Sequence, residues 1–198
     1  MKFETVLGAR CPVCGGELDA PGLCRRCRSE LHPRRWQNLV YLGGYRQWRG
    51  AVRALKFKGG RRLVAPLADA LAAGVREAGW SLDAVTAVPT TWWRALVRGY
   101  NPAELLGRRI AEQLELPFVR AVARRYTPSQ TRRRRDERAR MKAGTFFLQR
   151  ELGHRRWLLV DDVWTTGATF RAVERVLRAG GAEAVYGAVI AARQDGDW

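Results

Sequence analysis

The stretch LLVDDVWTTGAT at residues 158–169 holds residue types at spacings that could do chemistry. An apolar run of strand character leads to two adjacent carboxylates, Asp161 and Asp162, expected just past the strand's C-terminal end. Thr165, Thr166, Gly167, Ala168 and Thr169 then make a turn that opens a helix. In open α/β sheets, ligands bind outside the carboxyl ends of the strands. Such a turn offers backbone N–H groups to a phosphate, and the helix start adds its positive end. Gly167 lets the backbone come close, and the three threonines add hydroxyl donors. Neutral donors suit a phosphate that is held rather than transferred. The two carboxylates could accept hydrogen bonds from the vicinal hydroxyls of a ribose, or meet a hydrated Mg²⁺. Two acidic residues after a strand are a weak signal alone; the full pattern through Thr169 is a specific one.

A second constellation lies near the N-terminus. Cys11 and Cys14 form one CxxC pair, and Cys24 and Cys27 form another, with nine residues between the pairs. Each pair makes a knuckle whose thiolates converge on one metal. Two knuckles complete a tetrahedral four-cysteine shell with no open position, which makes a structural Zn²⁺ site. Paired disulfides or redox CxxC motifs are the competing readings, and no strand–helix context frames either pair. His32 and His154 each stand alone, without metal spacing.

These residues need elements to position them. Leu63, Leu67, Leu71 and Val75 recur every four residues, which predicts one helix face over 61–78 with Pro66 in its first turn. AVTAVP at 84–89 reads as a short buried strand ended by Pro89. Asn101, Pro102 and Glu104 form a helix start, with Leu105, Leu106, Ile110 and Leu114 on its apolar face. Residues 117–123, 144–148, 156–160 and 184–192 read as strands, and 169–179 as a helix. Residues 31–50 look like a connector leading into a short strand or hairpin. Residues 124–143 break all periodicity and form a long basic loop, an uncommon feature inside a compact domain and often a functional one. Strands alternating with helices imply an α/β fold with a mainly parallel sheet.

With these motifs in place, the chain resembles the ComF family (ComFC and GntX-like proteins) of type I phosphoribosyltransferase-like proteins. The resemblance runs through the cysteine module, LKFKGG at 55–60, AVP at 87–89, RGYNPAELLG at 98–107, the Thr127/Gln130/Arg138 loop and the 158–169 segment. It implies a type I phosphoribosyltransferase, Rossmann-like fold at 41–198, preceded by a zinc-binding module and connector at 1–40. It implies that 5-phosphoribosyl 1-pyrophosphate (PRPP) is bound with Mg²⁺. Asp161 and Asp162 would take the ribose hydroxyls, and Thr165 to Thr169 would wrap the 5′-phosphate. Thr90 and Thr91 would form the pyrophosphate loop. Arg124, Arg125 and Arg138, in the basic loop, would clamp the leaving group as catalytic residues. The acceptor would be read by a hood segment at 41–60. Trp164, Met141 and Pro102 depart from the family's usual residues.

Composition bears on partners. Of 198 residues, 36 are Lys or Arg and 19 are Asp or Glu, a formal charge of +17. Such a field attracts polyanions: nucleic acid, nucleotides or phosphorylated sugars. Besides a phosphoribose-transferring enzyme, the reading open here is a non-catalytic PRPP- or nucleotide-binding module that engages single-stranded DNA. Competence-machinery proteins are further partners the resemblance implies. Eight tryptophans invite comparison with base-stacking platforms, although core packing is their commoner use. No window reaches the roughly 18 uninterrupted apolar residues of a membrane span. The first ten residues lack a signal-peptide core, so a cytoplasmic location is expected.

Overall fold

In the computed structural model, which describes residues 10–19, 22–91, 96–125 and 144–193, apolar segments place the elements in this order. They are α1 (Arg25–Ser29), β1 (Arg34–Trp36), β2 (Leu39–Gly44), α2 (Tyr45–Ala54), a 3₁₀ turn (Lys58–Leu63), α3 (Val64–Glu77) and β3 (Ala84–Ala87). There follow α4 (Pro102–Leu114), β4 (Val122–Arg124), β5 (Phe146–Leu148), β6 (Arg156–Trp164), α5 (Ala168–Ala179) and β7 (Ala184–Ala192). Five strands form one sheet in the order β1-β2-β7-β6-β3. Only β1 is antiparallel to its neighbour; β2, β7, β6 and β3 run parallel. Strands β4 and β5 make a separate antiparallel pair. The α/β class with a mainly parallel sheet is thus as expected.

Parallel strands buried on both faces read as nearly continuous apolar runs, because each face needs its own cover. In β6, Leu158 and Val160 enter one core with Val40, Leu42, Val85, Ala188 and Ile190. Helices α2, α3 and α4 close that face through Trp48 and Val52, Leu67 and Leu71, and Leu106 and Ile110. Trp157 and Leu159 enter the opposite core, which α5 covers with Phe170, Val173 and Leu177. Each fully buried Leu or Phe contributes roughly 1.5–3 kcal/mol. Asp83 ties the starts of β3 and β6: its carboxylate accepts from the backbone N–H of Arg155 (3.1 Å) and Arg156 (2.8 Å). The Arg156 guanidinium and these backbone donors hold the Asp83 carboxyl well below the usual carboxylate range.

Several expectations need correction. Residues 45–54 are helical, which the reading of 31–50 as connector and hairpin missed. The signal was present: Trp48, Ala51, Val52 and Leu55 repeat at helical spacing and are all buried. The hairpin itself is there, as β1 and β2. The stretch 41–60, expected to hold the acceptor-reading hood, comprises the end of the interior strand β2, helix α2 and the start of the 3₁₀ turn. The strand expected at 117–123 is split. Phe118 bridges Val85 of the main sheet, and the chain then leaves to pair Val122–Arg124 with β5. The helix expected over 61–78 begins at Val64, after the 3₁₀ turn. Most of the basic loop, including Thr127, Gln130, Arg138 and Met141, lies outside the described residues. Among those described, no helix is long and apolar enough to cross a membrane.

Candidate functional site

The cleft arises from unequal strand lengths. Strand β6 pairs with β3 only as far as Val160, opposite Ala87, and a last hydrogen bond joins Val88 N–H to Val160 O (2.9 Å). Its partner β7 continues alongside to Trp164, opposite Ala192. Asp161 and Asp162 therefore lie within the strand rather than past its end, on a stretch that β3 no longer flanks. The extension follows from the long apolar run of β7, whose Val189 and Ala191 keep Asp161 and Val163 in register. Past the end of β3 the chain turns away through Pro89 and Thr90. The gap left at the carboxyl edge of the sheet is where open α/β sheets bind ligands.

A cleft of about 180 Å³ opens there, lined among others by Lys56, Thr90, Arg98, Arg124, Asp161, Asp162 and Thr169. Four widely separated segments thus meet at one place. Asn101 frames it: its side-chain oxygen accepts from Ala103 N–H (3.2 Å) to cap α4, and its Nδ2 donates to Val88 O (3.0 Å). Pro102 lines the cleft as the first residue of that helix. A second hollow of about 240 Å³ shares Pro89, Thr90, Asn101 and Arg124 with the first and continues towards Glu104, Arg120 and Gln149.

Electrostatics within the cleft are mixed. Desolvation pushes the Asp161 carboxyl well above the usual carboxylate range, and the charge of Asp162 adds to this. Asp161 Oδ1 accepts from the backbone N–H of Asp162 (2.8 Å). The Lys56 ammonium stands 3.3 Å from Asp162 Oδ2. Arg124 also sets its guanidinium over the Phe146 ring at 5.6 Å.

Not every expected site residue joins this group. Arg125 is exposed, with its guanidinium 5.4 Å from the Phe147 ring centre, and it does not line the cleft. Thr91 is half-buried and also falls outside the lining residues. Thr165 and Thr166 are exposed on the turn before α5. Thr166 Oγ1 accepts from Ala168 N–H at 3.4 Å. Gly167 caps α5 in the left-handed region (φ 69°), and a Cβ there would lie 2.5 Å from the Trp164 ring. Glycine is required twice over, by the backbone angle and by the indole beneath the turn. Trp164 packs against Phe170 (4.9 Å) and Trp36 (6.3 Å), so it supports the turn from below rather than offering an open stacking face. Trp92 and Trp93 lie outside the described residues. Lys56, Arg98 and Asn101 were missed as site residues, though all three fall inside the LKFKGG and RGYNPAELLG stretches.

The four cysteines come together as their spacing predicts. Their Sγ atoms all lie within 4.8 Å of one another, with Cys14 and Cys24 at 3.5 Å. A tetrahedral thiolate shell at a metal–sulfur distance of about 2.3 Å has edges of about 3.8 Å, so the group can hold a metal such as zinc. The first knuckle closes through Gly15 N–H to Cys11 O (2.8 Å) and Cys11 N–H to Gly16 O (2.7 Å). Gly16 N–H also points at Cys14 Sγ (3.4 Å). Cys24 caps α1, which carries Cys27 inward. Burial opposes ionisation of the Cys11 thiol, yet backbone donors at Cys24, Cys14 and Val13 outweigh it and bring that thiol down to about 7. Burial and the crowding of neighbouring thiols push Cys27 up.

Sheet, crevice and cysteine cluster together define an α/β protein with an open crevice at the carboxyl edge of its sheet and a small module whose four cysteines could hold a metal. Competence protein F of Haemophilus influenzae is 30% identical over 188 residues, covering 88% of this chain and 81% of that protein. The chain belongs to the competence protein F family. The DNA utilization protein YhgH of Salmonella typhi is 30% identical over 184 residues (88% of this chain, 80% of that protein), and that of Escherichia coli K12 is 29% identical over 184 residues, with the same coverage. No family model matches the chain. Among solved structures, the glutamine PRPP amidotransferase of B. subtilis aligns with a TM-score of 0.49 and 16% identity, over 70% of this chain and 30% of that one. A phosphoribosyltransferase from Corynebacterium diphtheriae aligns with a TM-score of 0.42 and 20% identity, over 87% and 82%.

Proposed function

We propose that the cleft binds PRPP with Mg²⁺ and that the protein transfers phosphoribose to or from an acceptor, in a process linked to DNA uptake. One observation carries this reading: Thr90, Asp161, Asp162 and Thr169, picked out from separate motifs, line one crevice at the carboxyl edge of the sheet. The turn at Thr165–Thr169 would hold the 5′-phosphate with backbone N–H groups and hydroxyls. Asp161 and Asp162 would accept from the two ribose hydroxyls, the nearer of which sits on the carbon bonded to the reacting one. Thr90, Thr91 and Arg124 would meet the pyrophosphate, with Arg125 and Arg138, the latter outside the described residues, as the further candidates for the leaving-group clamp.

In the transfer, the bond from the anomeric carbon to the pyrophosphate oxygen breaks and the oxygen keeps the electron pair. The acceptor's lone pair forms the new bond to carbon, and its proton passes to solvent. Positive charge develops on the ribose as negative charge grows on the leaving group. Arginines aimed at the leaving group stabilise that change in a site already shaped for it. The aspartates and threonines beside the cleft are the oxygen donors Mg²⁺ accepts together with phosphates, and the bound ion would neutralise pyrophosphate charge. Covering the ribose excludes water, which would otherwise compete with the acceptor.

The test is calorimetric titration of Mg²⁺ and PRPP into the wild-type chain and into the double variant D161N/D162N. Binding by the wild type, weakened at least about tenfold in the variant, supports the reading; each charge-assisted hydrogen bond contributes about 1.5–3 kcal/mol. Equal affinity in both proteins rejects it. Pyrophosphate release on incubation with a panel of heterocyclic acceptors then separates an enzyme from a binding module.

The non-catalytic alternative draws on the +17 charge and on relatives named for DNA utilization. The exposed edge strand Arg34–Trp36 offers the Arg34 guanidinium and the Trp36 indole, two positions apart on one face, to single-stranded DNA. Binding through phosphates weakens steeply with salt. A DNA affinity that stays constant between 50 and 200 mM salt, at roughly the range where such contacts are lost, would count against this reading. We also propose that the four-cysteine site holds Zn²⁺ and serves the fold rather than the reaction.

A further inference from the structure

Lys56 is a cation in the cleft that none of the assignments above uses. It comes from the N-terminal half of the chain and reaches Asp162 across more than a hundred residues of sequence. The bend that carries it is held from several sides. Lys56 N–H donates to Arg53 O (3.0 Å), Phe57 N–H to Ala54 O (2.9 Å) and Gly60 N–H to Phe57 O (2.9 Å). Leu55, the preceding residue, is fully buried. The Tyr100 hydroxyl is shared between the carbonyls of Leu55 (2.9 Å) and Phe57, and the Arg61 guanidinium covers the Tyr100 ring at 4.7 Å. Gly60 closes the bend so tightly that a Cβ there would lie 1.9 Å from Ala54 O.

Such a scaffold is out of proportion to the ion pair it supports. The Lys56 side chain is 37% exposed, and ion pairs at that exposure contribute only about 0–1 kcal/mol. Its position in the cleft is the more informative fact. Asp162 belongs to the pair assigned to the ribose hydroxyls, and the C2 hydroxyl of that pair is vicinal to the substituent on the anomeric carbon. An ammonium touching Asp162 is therefore within a side-chain swing of that substituent.

We propose that Lys56 binds the pyrophosphate of the ligand, and that in the free protein its ammonium rests on Asp162 and screens the acidic pair from stray divalent cations. This rests on the PRPP reading and adds a leaving-group residue to it. On binding, the ribose hydroxyls take over the carboxylate and the ammonium turns to phosphate oxygens. One anionic partner replaces another, so Lys56 is never stripped of a counter-charge inside the cleft. A lysine suits this exchange better than an arginine, because a compact point charge with three rotatable donors can change partners without fixed fork geometry.

The experiment compares the wild-type chain with K56A and K56Q, using PRPP with Mg²⁺, ribose 5-phosphate, and Mn²⁺ alone as probes. Both variants should lose about tenfold or more in PRPP affinity, as expected for removing a charge-assisted contact, and change less than about twofold towards ribose 5-phosphate. Mn²⁺ binding without any anion, followed by electron paramagnetic resonance, should strengthen in K56Q because Asp162 has lost its partner. PRPP affinity unchanged in K56Q, with the wild type binding, overturns the role of Lys56 and leaves the PRPP reading standing. A wild type that binds no PRPP overturns both. An equal loss towards both sugar phosphates marks structural damage and also overturns the proposal, as does Mn²⁺ binding that fails to rise. K56Q keeps most of the aliphatic stem, so the comparison survives if K56A does not fold.

Discussion

Asp161 carries a cost that its neighbours in the sheet do not. Desolvation raises its folded-state pKa above the unfolded value of about 3.9, and the Asp162 charge raises it further. The unfolded chain therefore releases this proton at lower pH than the folded one. As pH rises from the unfolded pKa towards the folded one, stability is lost, and the full penalty holds above the folded pKa. Removing the charge with D161N should raise the urea midpoint at pH 8, with the gain shrinking as pH falls towards 4, while PRPP binding weakens. A midpoint lowered at pH 8, or raised equally at both pH values, would contradict this. Destabilised groups of this kind are common where a site is kept ready for a ligand. At this scale the acidic pair and Thr169 were legible, because adjacent residues and a turn make a local pattern. Lys56 was not, because nothing near it in sequence says which carboxylate it will meet.

Helix α2 is the surface on which the cysteine module docks. Gly50 faces the first knuckle so closely that a Cβ would lie 1.8 Å from the carbonyl oxygen of Pro12. Neither side can yield easily: Trp48, Ala51 and Val52 fix the helix in the core, and the knuckle's own backbone bonds fix Pro12. G50A, otherwise favourable in a helix, should therefore destabilise the chain by about 1–3 kcal/mol, the usual range for overpacking. Denaturant unfolding measures this, and a neutral or stabilising result would mean the knuckle does not sit on α2. The helix itself is legible in the spacing of Trp48, Ala51, Val52 and Leu55, all buried in the core. The splitting of 117–124 between two sheets left no mark in the sequence, since Phe118 and Val122 are equally good strand residues. Pairing partners decided it.

At the scale of the whole molecule, the cysteine module and the sheet share one core. Cys11, Leu23, Cys24 and Cys27 pack in the same cluster as Trp48, Leu63 and Leu67. The chain division expected at 40/41 falls within β2, a strand of the main sheet. Metal binding to the folded state alone adds to its stability, and small four-cysteine modules rarely fold without their metal. Atomic emission should find about one zinc per chain. Stripping it with a chelator should lower the unfolding temperature of the entire chain, rather than melt a separate module first. An unchanged transition in fully stripped protein would show that the cysteines contribute no metal-dependent stability.

The residues alone determined what lies within reach of about ten neighbours. That covers the two CxxC knuckles, the Asn-Pro helix start, the acidic pair with its threonine turn, and the alternation that makes an α/β sheet. Each depends on local backbone geometry and side-chain periodicity, which are written in consecutive positions. Tertiary structure alone decided that β6 outruns β3 and so opens a crevice, that a lysine from residue 56 meets an aspartate at 162, and that the knuckle rests on Gly50. Those outcomes depend on register and strand length between distant segments. Packing of the whole core sets both, and no short stretch of sequence encodes them.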